Sequence, residues 1–91
     1  QLDPSQTVAS VNLANHLAMK GRTREAIVLW EEALSRNPGL ESARINIAIA
    51  NLQQGDPKSA EKALRKALEL NPPLKSARRL LADPRIIKSS K

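Results

Sequence analysis

Asn12 and Asn46 are the first residues whose type and spacing suggest chemistry: two carboxamides thirty-four positions apart in a chain of 91. A side-chain amide offers a donor and an acceptor together, the complement of a peptide group, so it can grip an extended backbone of any sequence. Asn15 follows three residues after Asn12 and could add a third contact, although a solvated polar residue is the preferred reading there. Groups that would carry catalysis are sparse. His16 is the single histidine and there is no cysteine, so no Cys/His metal cluster or nucleophile pair can be assembled. Glu31 and Glu32 are adjacent, which on a helix turns them about 100° apart and makes a poor acid/base pair. The three glycines are too widely separated for a phosphate-cradling loop. The chain therefore reads as a non-enzyme, with no catalytic residue, cofactor or metal.

The thirty-four-residue interval is not confined to the asparagines. Pro4, Pro38 and Pro72 keep it, as do Gly21/Gly55, Ala26/Ala60, Ala33/Ala67, Asn37/Asn71 and Leu40/Leu74. Aligning residues 7–40 with 41–74 needs no gap and gives ten identities, including Ala9/Ala43, Ala14/Ala48 and Leu34/Leu68. Self-similarity at such a period means that one small unit is stacked on its copies. A third copy begins at Ser76, Ala77 and Arg78 and is expected to stop at Asp83 and Pro84, where proline removes an amide donor.

Within each unit the signals are helical. Ala26, Trp30, Ala33 and Leu34 share one helix face, as do Ala60, Leu64, Ala67 and Leu68. Gly21 and Gly55 supply a turn needing positive φ, and Asp56 before Pro57 reads as a helix start. Asn37–Pro38 and Asn71–Pro72 read as helix ends, with asparagine accepting the left-handed conformation. Ile45, Ile47 and Ile49 alternate as a strand would, but the register with residues 10–15 demands a helix. Helices are predicted near 6–20, 23–36, 40–54, 57–70 and 74–82.

This pattern of alanines, a large apolar residue and a closing proline resembles the tetratricopeptide repeat, over roughly residues 2–82. The resemblance implies an all-α fold of antiparallel helix pairs in a right-handed superhelix, with about two full repeats and a capping helix. The implied layout is a single domain: 1–5 as the end of a preceding repeat, 7–40 and 41–74 as repeats, 75–83 as cap, and 84–91 as a basic, frayed tail. With Gln1 first, the chain is expected to be a fragment or processed product of a longer array. The family's aromatics are replaced by Ser10/Arg44 and Leu17/Asn51, which leaves a lean core.

In this family the first helix of each unit lines a concave groove. Asn12 and Asn46 fall at its sixth position and resemble an asparagine ladder that holds peptide backbone. The resemblance makes Val11, Ile45 and Ile49 side-chain pockets and places Arg79 as a charge at one end. Val8 is shared between that role and packing against a preceding repeat. A carboxylate clamp of the kind that holds chaperone tails fits poorly. Asn15 and Asn46 match its asparagines, but Val11, Ser76 and Leu80 stand at its basic positions, and Lys75 and Arg79 are one residue out of register.

Charge is concentrated at the C-terminal end: residues 75–91 hold six basic residues against Asp83, and the preceding 74 hold nine basic and eight acidic. That end could attract acidic protein, nucleic acid or anionic lipid. Without an aromatic for base stacking, and with no apolar run of about 20 residues, nucleic acid and membrane are disfavoured as partners. The function expected is a protein-interaction scaffold. Its alternatives are a structural spacer or array cap, self-associating through an outward pair such as Val28 and Leu29, and electrostatic attachment through the basic end. A soluble chain is expected, in the cytoplasm rather than the periplasm or outside. The sequence names neither partner nor compartment.

Overall fold

A computed structural model describes residues 4–89, with side chains from Gln6 onward. The expectations placed on Gln1, Leu2, Asp3, Ser90 and Lys91 lie outside the described residues. Six helices follow one another among the described residues: α1 (Pro4–Met19), α2 (Thr23–Arg36), α3 (Glu41–Gln53), α4 (Pro57–Leu70), α5 (Lys75–Leu81) and α6 (Pro84–Ser89). There is no strand among the described residues, and the isoleucine alternation of 45–49 lies inside α3 as the repeat register requires. The chain divides into two compact units, 1–43 and 44–91, so α3 begins in the first and contributes residues 44–53 to the second.

The helix ends repeat at the sequence interval. After α1, Gly21 takes φ +83°, its N–H donates to Ala18 O, and the Arg22 N–H reaches back to Leu17 O at 2.9 Å. After α3, Gly55 takes φ +78°, donates to Leu52 O, and Asp56 N–H reaches Asn51 O at 2.8 Å. Both are Schellman closures, in which only glycine takes the left-handed residue without steric cost. The asparagine ends differ from the left-handed expectation. Asn37 (φ −139°) and Asn71 (φ −144°) are extended. Each donates its N–H to the alanine four residues back, Ala33 or Ala67, and accepts from Leu40 or Leu74 across a four-residue turn. Pro38 and Pro72 hold the second position of those turns, where a fixed φ is favourable. Asn37 Oδ1 also accepts from Gly39 N–H at 3.2 Å, so here asparagine serves through its side chain.

In the first unit α1 and α2 lie antiparallel, since Asn15 meets Trp30 while Ser10 meets Arg36. Ala14, Ala26 and Ala33 are fully buried between them and let the backbones approach, while Trp30 fills the remaining space. The second unit has its own core of Ala48, Leu52, Ala60, Leu64, Ala67, Ala77 and Ile86. Burying Leu64 completely contributes about 1.5–3 kcal/mol. The spacing of Ala60, Leu64 and Ala67 puts all three on one stripe of α4, opposite Lys58, Lys62 and Lys66.

The C-terminal end corrects the expectation of a frayed tail. Residues 84–89 form α6, and Ile86, 2% exposed, belongs to the second unit's core. Asp83 does not end structure; it starts α6. Its carboxylate accepts from Arg85 N–H at 2.8 Å, its carbonyl accepts from Ile86 and Ile87 N–H, and Pro84 occupies the first helical position. This is the grammar of Asp56 before Pro57, where Asp56 Oδ1 accepts from Ser59 N–H.

Candidate functional site

Helix α1 is two-faced. Thr7 and Ala14 are buried, and Val11 is half-buried at the edge of that face. Val8, Asn12, Asn15 and Met19 are exposed, and at 100° per residue they fall within an arc of about 60°. Val8 is 58% and Met19 87% exposed, so two carboxamides on this stripe are flanked by apolar side chains at either end. Met19 was not among the expected site residues, although its interval from Val8, Asn12 and Asn15 puts it on their stripe. His16 is exposed beside it.

Asn15 has a structural task on the same stripe. The Trp30 indole N–H donates to Asn15 Oδ1 at 3.1 Å, which satisfies the polar atom of a side chain only 3% exposed. Buried indoles need such a partner, because an unsatisfied buried donor costs about 1–3 kcal/mol. A carboxamide held this way is committed to the fold before it meets a ligand.

In the second unit Asn46 is half-buried and Ile49 exposed on α3, three residues apart and on one side of the helix. Ile45, expected as a pocket residue, instead packs half-buried against the unit's core. Ile47 and Ala48 form the buried side of α3. Arg79, expected as a charge at one end of the groove, is exposed on α5 one turn from the exposed Lys75. Within each unit the structure therefore groups Asn12 with Asn15, and Asn46 with Ile49. Val28, expected to face outward with Leu29, does so at 60% exposure, while Leu29 is half-buried.

Electrostatics separate the two units. Residues 1–43 carry four basic and five acidic groups, net −1, and residues 44–91 carry eleven basic and four acidic, net +7. Ion pairs between residues four apart form on α2 and α4: Arg36–Glu32 at 3.3 Å and Arg65–Glu61 at 2.7 Å. Hydrogen bonds from the Arg85 side chain and then its N–H hold the Asp83 carboxyl down at about 2. The Ser59 hydroxyl, followed by its N–H, lowers the Asp56 carboxyl. Among the described residues no group of three His, Cys, Asp or Glu is placed to hold a metal ion, and no helix is long and apolar enough to cross a membrane.

Comparison with known proteins gives one positive result. The family model described as Tetratricopeptide repeat matches residues 17–83, from the end of α1 to the residue before α6. No curated protein matches the chain.

Proposed function

Because the chain belongs to the tetratricopeptide repeat family, whose members mediate protein–protein interactions, we propose that it is a non-catalytic scaffold gripping partner backbone through Asn12 in the first unit and Asn46 in the second. The observation that carries this reading is a shared register. The same position of the first helix in each repeat bears a carboxamide, with an exposed apolar neighbour on the same stripe: Val8 beside Asn12, and Ile49 beside Asn46. An amide satisfies a peptide group without reading its side chains, while the apolar neighbours favour partners that can bury a hydrophobic residue. Val11 and Ile45 support the stripes from their half-buried edges, and Asn15 is assigned to Trp30.

The test is a pull-down from source-cell lysate at moderate salt, comparing the native chain with Asn12→Ala/Asn46→Ala by mass spectrometry. A partner held by the native chain and lost by a double variant that remains helical by circular dichroism supports the reading. A partner list unchanged by the substitutions refutes it and leaves a structural spacer.

A further inference from the structure

Helices α5 and α6 turn one face each into the second unit's core, through Ala77 and Ile86, and leave the other face to solvent. The solvent faces are basic. Lys75 and Arg79 are one turn apart on α5 with Arg78 beside them, and Arg85 and Lys88 lie on α6 after a connection of only Ala82 and Asp83. Asp83 is the single acidic residue from 75 to 89, and it is engaged by Arg85.

Two of these cations are held in place. Arg78 Nε donates to Pro72 O at 3.1 Å, and Arg85 donates through Nε and Nη2 to the two Asp83 oxygens at 3.0 and 2.9 Å. Each guanidinium has five N–H donors, so both keep donors for a ligand while losing less rotamer freedom on binding. The side chains of Lys75, Arg79 and Lys88 make no hydrogen bond or ion pair among the described residues. Ile87, 49% exposed, sits between Arg85 and Lys88 in the sequence of α6.

We propose that this α5–α6 surface is a second docking site, built from residues other than those of the asparagine stripes, for an acidic polypeptide segment that carries an apolar residue among its carboxylates. Charge complementarity selects an anionic partner, and the geometry selects protein among anions. The chain's only aromatic, Trp30, is buried in the first unit, so the second has no aromatic side chain as a stacking platform for a base. One exposed isoleucine on two short helices is too little apolar surface to anchor in a bilayer, but it matches a single leucine or valine of a peptide. The site takes side-chain carboxylates anywhere along a segment and does not require a chain terminus.

The experiment uses the full chain and a fluorescent peptide of repeating Asp, Glu and Leu, read by anisotropy at low salt. The variant Lys75→Glu/Arg79→Glu/Lys88→Glu changes only exposed side chains and leaves Asp83–Arg85 intact, with its helicity and melting checked in parallel. Saturable binding that weakens about tenfold or more in this variant is expected. Ile87→Ser should weaken the leucine peptide several-fold and leave a peptide with glycine in place of leucine unchanged. Asn12→Ala/Asn46→Ala should bind the peptide as the native chain does, so this site can stand or fall independently of the first. Peptide binding unaffected by the charge reversal, or lost with the asparagines, overturns the proposal. So does tighter binding of a DNA duplex, or of phosphatidylserine vesicles, than of the peptide.

Discussion

Substituting Asn15 tests the indole–carboxamide contact by the sign of its effect. Asn15 is exposed on a helix, and asparagine is a poorer helix former than alanine or leucine by several tenths of a kcal/mol. If Asn15 were only a solvated polar residue, Asn15→Ala and Asn15→Leu would both stabilise the chain. The 3.1 Å bond from Trp30 predicts the reverse. Leucine removes the acceptor and covers the indole N–H against water, so it leaves a buried donor unsatisfied at a cost of about 1–3 kcal/mol. That exceeds the propensity gain and lowers Tm by about 4–8 °C per kcal/mol for a domain of this size. Alanine opens a path for water, so its net loss is smaller and falls between native and Asn15→Leu. Asn15→Asp keeps an acceptor, and its charge-assisted bond offsets the unfavourable position near the C-terminus of α1. It should lie close to native. Urea and thermal melts followed by circular dichroism give the stabilities, and Trp30, the only tryptophan, reports the site by fluorescence. Leucine and alanine variants both more stable than native would refute the reasoning.

Other expectations follow from burial, backbone and charge. Ile86→Ala should destabilise the second unit by about 2–5 kcal/mol, as removal of a buried isoleucine does, while Ile87→Ala should change stability by less than about 0.5 kcal/mol; equal effects in urea melts would mean that α6 is not docked. Gly55→Ala should cost about 1–2 kcal/mol through its φ of +78° alone, because nothing lies within 4 Å of the added Cβ, and Gly55→Asn should cost less. Asp83 and Asp56 have carboxyls lowered in the folded chain, so their contribution is present above about pH 4 and is lost as pH falls, for Asp83 through about 2. Thermal melts from pH 7 to pH 2 should show this loss, and Asp83→Asn should flatten part of it.

The period made the helices legible, because it overrides local ambiguity: Ile45, Ile47 and Ile49 look like a strand by themselves and are helical because residues 10–15 are. The same reliance on the period hid α6. With no third full copy to align, Pro84 reads as a terminator, although Asp83 before it matches Asp56 before Pro57 and Ile86 supplies an apolar residue at helical spacing. Proline ends a helix that precedes it and starts one that follows, and only the capping residue distinguishes the two. The asparagine ends show a similar limit. Asn37 and Asn71 do end their helices, but several backbone conformations stop a helix, and proline at the next position favours an extended asparagine over a left-handed one.

Comparing the two repeats position by position separates residues that serve the fold from those available to a partner. Trp30 aligns with Leu64, and Asn15 aligns with Ile49. Where the large residue carries an N–H, its neighbour on the first helix carries an acceptor; where the large residue is purely apolar, the aligned position is apolar too. The two differences are one difference, and it accounts for Asn15 without a ligand. The exchange of Trp30 for Leu64 does not explain Asn12 and Asn46, since both repeats keep asparagine at that position whichever of the two core residues is present. Introducing Asn15→Ile and Trp30→Leu together tests the pairing as a double-mutant cycle. Trp30→Leu alone vacates core volume, and Asn15→Ile alone orphans the indole. The pair no longer has an indole to orphan, so its loss should fall short of the summed single losses by about 0.5–3 kcal/mol. Strict additivity would mean that the coupling is absent and would return Asn15 to the stripe of residues open to a partner.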